Sequence, residues 1–126
     1  MGVAQFNFPF QGTVKDFNNQ LDNWLKTTPE GKRYRYKNPG SGFAIKLQRG
    51  IGLLTAPIFL EFGFGQENGT SIDIFAIGYV RNFAILGKSP ISEKAAFGAL
   101  PRRNGWKDMM KIFSFLDIQN FNSTTV

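Results

Sequence analysis

Residues 56–81 constrain the fold of this chain more than any other segment. They contain two runs of β-branched and aromatic residues with Asn68-Gly69 between them. An Asn-Gly pair flanked by such runs is the strongest short-range indication of a β-hairpin. The segment therefore predicts two long antiparallel strands that pair with each other.

The hydrophobic alternation predicts which side chains of this hairpin are buried. Large apolar side chains occupy even-numbered positions in both strands, among them Phe62, Phe64 and Ile74. A two-residue loop at Asn68-Gly69 would mix the two faces. A three-residue loop at 67–69 keeps the even-numbered positions together and pairs Phe62 with Ile74. We therefore predict the three-residue loop and a buried even-numbered face.

Capping residues and periodicity predict the other elements. Thr13 and Asp16 fit a capping box, so we predict a helix over 14–26. Ser89-Pro90 fits the start of a second, short helix over 89–97, and Asn104 fits the cap of a last helix that reaches Leu116. Two further strands are predicted, over 32–37 and 43–48.

Together these elements predict a single α+β domain. Its four-stranded antiparallel meander carries the N-terminal and the C-terminal helix on one face. Residues 1–12, with Phe6, Phe8 and Phe10 around Pro9, are predicted to be an N-terminal arm or an edge strand. The α+β domain itself covers 13–116, residues 88–103 are an insert of unassigned role, and 117–126 are predicted to be a flexible tail.

The composition excludes several kinds of chemistry. The chain has 126 residues with no Cys and no His, so disulfides, thiolate metal sites and Ser-His or Cys-His catalysis are impossible. Glu61 and Asp73 lie near each other in the predicted hairpin, but no neighbouring residue positions a substrate or a water. We therefore predict no catalytic residue, no metal and no cofactor, and a non-enzymatic protein.

The odd-numbered face of the hairpin and the segment before it form the first candidate surface. Residues 50–57 are uncharged and largely apolar, and no helix is predicted over the odd-numbered face of the sheet. Exposed apolar area of this kind indicates a contact with a protein partner or with a second copy. The predicted surface consists of Ile51, Leu53, Leu54, Phe59, Phe75, Ile77 and Tyr79.

A basic surface is the alternative. The net charge is +6, and Arg33, Arg35 and Lys37 share one face of a predicted strand, with Lys46 beside them and a second group at Arg102 and Arg103. Such a surface binds the phosphates of nucleic acid or of anionic lipid. A solvated strand face has the same pattern. Tyr34 and Tyr36 alternate away from the cations, which disfavours base stacking.

Two further expectations complete the sequence-based predictions. A small apolar ligand between the helices and the Phe-rich face of the sheet is a third candidate function. No uncharged run is long enough to span a membrane, and the first residues do not fit a signal peptide, so we expect a cytoplasmic location.

The order of elements resembles a family of small bacterial α+β domains that have no assigned activity. The similarity is carried by Phe8-Pro9-Phe10, the helix over 14–26, the hairpin turn at Asn68 to Thr70, and Gly105-Trp106 at the start of the last helix. It covers residues 6–116, and the chain departs from it in the insert. The resemblance implies a helix, a four-stranded meander and a helix, and it implies no site residue.

Overall fold

The structure is a computed structural model that describes residues 2–52, 56–82, 87–94 and 100–126. Within these ranges the predicted α+β class is confirmed: two α-helices accompany one antiparallel sheet of seven strands. The helices are α1 (Val14–Thr27) and α2 (Leu100–Phe115), and a short 3-10 helix covers Gly31–Arg33. The strands are β1 (Ala4–Gln11), β2 (Tyr34–Lys37), β3 (Ile45–Arg49), β4 (Ile58–Asn68), β5 (Ser71–Asn82), β6 (Gly87–Pro90) and β7 (Asn122–Thr125).

The predicted four-stranded meander is wrong, because the described sheet also contains β1, β6 and β7. The strand order is β2-β3-β4-β5-β1-β7, and β6 pairs with β5 beyond the end of β1. The four predicted strands are β2 to β5, which are neighbours in sequence and in space. The three additional strands come from both ends of the chain and from the predicted insert. The pairing of β1 with β5 and with β7 joins distant segments, and local periodicity carries no information about it.

The N-terminal strand β1 lies inside the sheet. It pairs with β5 along its whole length, and residues Ala4 to Asn7 also pair with β7. Pro9, which has no N–H to donate, lies just beyond the last pair with β7, Asn7 with Asn122. Phe6 and Phe8 are buried on the same side as the even-numbered residues of β5, so β1 is a core element.

The β4–β5 hairpin has the predicted buried face but a different register. Phe62 pairs with Ala76 and Phe64 with Ile74, so the predicted pair of Phe62 with Ile74 is wrong by two residues. Asn68 and Ser71 are the last pair before the turn, which therefore has two residues. A register shift after Phe64 places one additional residue in β4. This bulge restores the alternation that a two-residue turn alone would reverse. Phe62 and Ile74 are therefore both buried, with 0% and 1% of their surface exposed.

Both helices cover this even-numbered face. The capping box is confirmed, because the Thr13 N–H donates to Asp16 over 2.9 Å and the Asp16 N–H donates to the Thr13 hydroxyl over 3.1 Å. Phe17 of α1 packs against Phe62 of β4 at 5.6 Å between ring centroids. On α2, Phe113 packs against Phe8 of β1 at 4.8 Å. The main core consequently lies between the helices and the sheet.

The insert contributes a strand and a core residue where a helix was predicted. Ser89 and Pro90 belong to β6, which is consistent with the extended backbone that a residue before proline prefers. Residues 95–97 of the predicted helix lie outside the described residues. Ile91 fills the space left by two glycines: a Cβ at Gly78 or at Gly105 would overlap its side chain. The absence of side chains at these glycines thus lets β5 and α2 approach Ile91 from two sides.

Candidate functional site

The face of the sheet opposite the two helices, which we call the sheet back, carries the candidate site and includes the odd-numbered residues of the β4–β5 hairpin. Strand pairing aligns Phe59 with Tyr79, and Glu61 with Ile77. It also aligns Lys46 with Glu61, and Lys37 with Lys46. Because side chains alternate along each strand, all of these groups share one face, opposite the two helices. The sheet back therefore combines aromatic and cationic side chains from several strands.

The structure buries three of the seven residues of the predicted apolar surface within the chain itself. Phe59, Ile77 and Tyr79 are 7%, 9% and 3% exposed, and they form a second, smaller core with the partly buried Val3 and Phe43. Phe75 is half-buried. Ile51 is 68% exposed, and Leu53 and Leu54 lie outside the described residues. Phe59, Ile77 and Tyr79 consequently do not form an exposed apolar patch on the sheet back.

Two lysines lie over the aromatic pair at the centre of this face. The rings of Phe59 and Tyr79 are stacked, with 5.2 Å between centroids and 20° between planes. The Lys46 ammonium lies 4.9 Å from the centre of the Phe59 ring, and the Lys88 ammonium lies 4.5 Å from that of Tyr79. Such cation–π contacts hold the positive charge at the surface while the alkyl stems contribute to covering the rings.

A buried carboxyl group lies beneath this pair. The Tyr79 hydroxyl donates a 2.5 Å hydrogen bond to Glu61, which is 5% exposed. Burial first, and then this hydrogen bond and the nearby negative charge, raise the pKa of Tyr79 well above that of a free tyrosine. The bond fixes the orientation of the Tyr79 ring, and with it the position of the cation that lies over the ring.

The basic residues separate into groups that only partly match the prediction. Arg35, Lys37 and Lys46 meet on the sheet back across β2 and β3. Arg33 belongs to the 3-10 helix before β2 and so does not continue the alternation of Arg35 and Lys37. The sequence-based analysis missed Arg81 and Lys88, which pair across β5 and β6 on the same face. Alternation from Tyr79 to Arg81 along β5 was the available indication.

Arg102 and Arg103 do not join this surface. Both lie on α2, which packs against the opposite face of the sheet. The Arg102 guanidinium donates a 2.7 Å hydrogen bond to the Pro90 carbonyl and is partly buried. Arg102 therefore connects α2 with β6. The predicted second basic group is not part of the sheet back.

The cations of the sheet back take no part in the ion pairs of the chain. Every one of the 15 Lys and Arg and nine Asp and Glu side chains lies in the described ranges. The ion pairs found among them join Lys26 to Asp22, Arg49 to Asp108 and Lys111 to Glu30. None of these ion pairs includes a cation of the sheet back. The five cations of the sheet back are Arg35, Lys37, Lys46, Arg81 and Lys88.

The helical side of the sheet contains a second buried acid, Asp108 of α2. It accepts a 2.6 Å hydrogen bond from the Tyr34 hydroxyl and a 2.7 Å bond from Arg49, and it is 3% exposed. Burial and the Asp108 charge raise the pKa of Tyr34. The sequence-based pattern missed Asp108, although it lies three residues after the buried Gly105 and one turn before Ile112, on the buried face of the helix.

The core between helices and sheet is occupied by side chains where the third candidate function places a ligand. Phe17 contacts both Phe62 and Phe64 there, with 5.6 Å between ring centroids in each pair. A separate pocket of about 530 Å³ opens at one end of the domain, beside Phe10, Gln20 and Leu116. Its lining includes several amide side chains, and the cations of the sheet back do not contribute to it.

Comparisons with protein families, with curated proteins and with solved structures give no match for this chain. The resemblance to small bacterial α+β domains therefore stays a prediction. Within the described ranges, no helix is long and apolar enough to cross a membrane. The same residues contain no group of three or more acidic side chains that could hold a metal ion. The functional argument consequently depends on the sheet back.

Proposed function

We propose that this protein binds single-stranded nucleic acid through the sheet back. The observation that carries the proposal is the set of five cations, without ion-pair partners among the chain's acids, on a face that also carries aromatic rings. Proteins that bind single strands combine a positive surface that follows the phosphates with aromatic side chains that contact bases.

The arrangement of the cations supports an extended ligand. Arg35, Lys37 and Lys46 lie at the β2 side of the aromatic pair, and Arg81 and Lys88 lie at its β5–β6 side. Because neighbouring strands are roughly 5 Å apart, the backbones of β2 and β5 are separated by about 15 Å. That spacing suits several successive phosphates of one strand. Of the two acids on this face, Glu61 already accepts a hydrogen bond from the Tyr79 hydroxyl.

The structure changes the two arguments that the sequence raised. Base stacking was disfavoured because Tyr34 and Tyr36 alternate away from the cations, yet Phe43 and Phe75 pack together on the sheet back and are only half-buried. Self-association was favoured because the apolar residues of this face would otherwise meet water. Three of them are buried within one chain, so their contact with water no longer supports self-association.

A direct test compares two variants of equal net charge. The first replaces Arg35, Lys37, Lys46 and Lys88 with Gln. The control replaces Lys15, Lys32, Arg103 and Lys107, which are exposed on the helical side, with Gln. Binding to a fluorescein-labelled 12-nucleotide DNA strand is measured by anisotropy at several salt concentrations.

We expect the first variant to lose at least tenfold in affinity and the control to stay within about threefold of the wild type. The slope of log K against log salt should shrink by about 2 to 3 for the first variant, since each single-strand phosphate contact contributes roughly 0.7. Equal losses in both variants, or no binding by the wild type, would overturn the proposal.

Two further measurements identify the competing functions. Binding to phosphatidylserine vesicles without binding to the DNA strand would assign the cations to anionic lipid. Sedimentation of the wild type without nucleic acid measures self-association. The exposed Ile51 is the residue through which we expect a second copy to bind. A concentration-dependent dimer that Ile51→Glu dissociates, together with absent DNA binding, would favour the assembly function.

A further inference from the structure

A second feature of the sheet back is a pocket next to Phe75. Its volume is about 310 Å³, at the lower end of the range for small-molecule sites. Asn7 of β1, Asp73 and Phe75 of β5 and Asn122 of β7 all contribute to its lining. Asn7 pairs with Phe75 on one side and with Asn122 on the other, so three strands form its floor.

The Phe75 ring lies across the neighbouring strand because Gly63 has no side chain. Gly63 is the register partner of Phe75, and a Cβ at Gly63 would overlap the Phe75 ring. Phe43 contacts the ring edge-on, with 5.4 Å between centroids. The ring is therefore held against the sheet surface and stays partly exposed. A ring in this position can stack with a planar ligand.

The polar groups of the pocket are an acid and two amides. Asp73 is exposed, and its carboxylate has only a 3.5 Å contact with the Asn68 amide. Asn7 and Asn122 are exposed as well and lie side by side across β1 and β7. A carboxylate offers two acceptor oxygens, while each amide offers both donors and an acceptor. These groups are free to bind a ligand that presents adjacent N–H donors and a carbonyl.

We infer that this pocket binds one guanine base of the nucleic acid strand. The inference rests on the proposed function. Guanine stacks on Phe75, its N1–H and its exocyclic amino group donate to Asp73, and its O6 carbonyl accepts from an amide of Asn7 or Asn122. Adenine, cytosine and thymine each place an acceptor atom next to their donor, and that acceptor would meet the Asp73 carboxylate. The carboxylate therefore selects guanine.

The experiment compares a nine-nucleotide strand of thymidines with the same strand carrying one central deoxyguanosine. Fluorescence anisotropy measures both affinities for the wild type, for Asp73→Asn and for Asp117→Asn, which changes an acid away from the pocket. We expect the wild type and the control to prefer the guanine strand at least fivefold. Asp73→Asn should bind the two strands with equal affinity.

A second variant tests the stacking platform. Gly63→Ala displaces the Phe75 ring while leaving all five cations and Asp73 in place. It should lose the preference for guanine and keep the salt dependence of binding. Circular dichroism and thermal unfolding establish that each variant is folded before its affinity is compared.

The outcomes separate this inference from the proposed function. Binding of both strands by the wild type with equal affinity would overturn the guanine pocket and leave the proposed function supported. A guanine preference that survives Asp73→Asn would overturn the assigned role of the carboxylate. Failure of the wild type to bind either strand would overturn the proposed function and the pocket together.

Discussion

Asp108 and Glu61 are both buried beneath a tyrosine hydroxyl, but they lie on opposite faces of the sheet. Asp108 accepts from Tyr34, which is 74 residues away in sequence, and forms an ion pair with Arg49 at 2.7 Å. Glu61 accepts from Tyr79, 18 residues away on the adjacent strand. The first group therefore connects α2 with β2 and β3, whereas the second connects two strands that already pair.

The difference indicates two separate tasks for similar chemistry. The Asp108 network is covered by α2, and its charge is balanced within the chain by Arg49. The Glu61 pair lies beneath the cations of the sheet back, where Lys46 is the register neighbour of Glu61. The helical side uses its buried acid to join tertiary elements. The sheet back uses its acid to orient a ring on the surface that we propose to bind nucleic acid.

The largest effect is expected from Asp108→Asn. The amide is similar in size but cannot balance the Arg49 charge, and the loss of one partner from a buried ion pair costs about 3 to 5 kcal/mol. We expect about 3 kcal/mol, because the Arg49 side chain is 20% exposed and can reach water. Urea denaturation followed by circular dichroism measures the free energy of unfolding.

Glu61→Gln is the matched control for this comparison. Its amide oxygen still accepts from Tyr79, so the free energy of unfolding should fall by no more than about 1 kcal/mol. If the two variants were destabilised equally, the distinction between the two buried acids would be wrong.

The second prediction concerns the two tyrosines, and here the larger loss of stability is expected on the sheet back. Tyr79→Phe removes the hydroxyl that donates to the buried Glu61 and should cost about 2 kcal/mol, while Tyr34→Phe leaves Asp108 with Arg49 and should cost about 1 kcal/mol. The same urea titration measures both. A larger loss for Tyr34→Phe would mean that Arg49 does not compensate for the missing hydroxyl.

The smallest effect is a loss of stability in alkaline solution. Burial, followed by the neighbouring acid, raises the pKa of Tyr34 and of Tyr79, so below the unfolded pKa of about 10 both tyrosines contribute their full stabilisation. Above about pH 10 the unfolded tyrosine loses its proton while the folded one retains it, and the free energy of unfolding therefore falls.

Urea titrations at pH 9, 10 and 11 check this prediction. The decline from pH 10 to 11 should be less steep in Tyr34→Phe than in the wild type. Tyr36→Phe should also make the decline less steep, since burial and the hydrogen bond to Asp22 raise the pKa of Tyr36 to about 12. Identical declines in the wild type and in Tyr34→Phe would contradict the assigned cause.

Local sequence patterns were sufficient for part of the fold and of the site. The capping box at Thr13, the buried even-numbered face of the hairpin and the shared face of Arg35 and Lys37 follow from residue spacing alone. The register of the hairpin did not follow, because a turn that joins Asn68 to Ser71 and a bulge after Phe64 together give the same alternation as a three-residue loop. Alternation reports which face a residue occupies and is insensitive to shifts by two residues.

The missed residues have two causes, which are unrecognised strand pairing for Lys88 and the pocket, and the burial of a helical acid for Asp108. Ser89-Pro90 fits a helix start in the sequence, whereas the position of Lys88 on the sheet back depends on the pairing of β6 with β5. The pocket beside Phe75 combines residues from both ends of the chain and from the central hairpin. Residue spacing alone did not identify Asp108, because an acid in a helix is usually exposed.

The sequence alone therefore determined which residues form the central strands, where α1 begins and which side of the β4–β5 hairpin is buried, because hydrogen-bond caps and side-chain alternation are local properties. Only the tertiary structure decided that β1 lies inside the sheet, that Tyr34 and Arg49 meet Asp108, and that five cations share one face. Those contacts join segments far apart in the chain, and the free energy that selects them arises when strands and helices pack together.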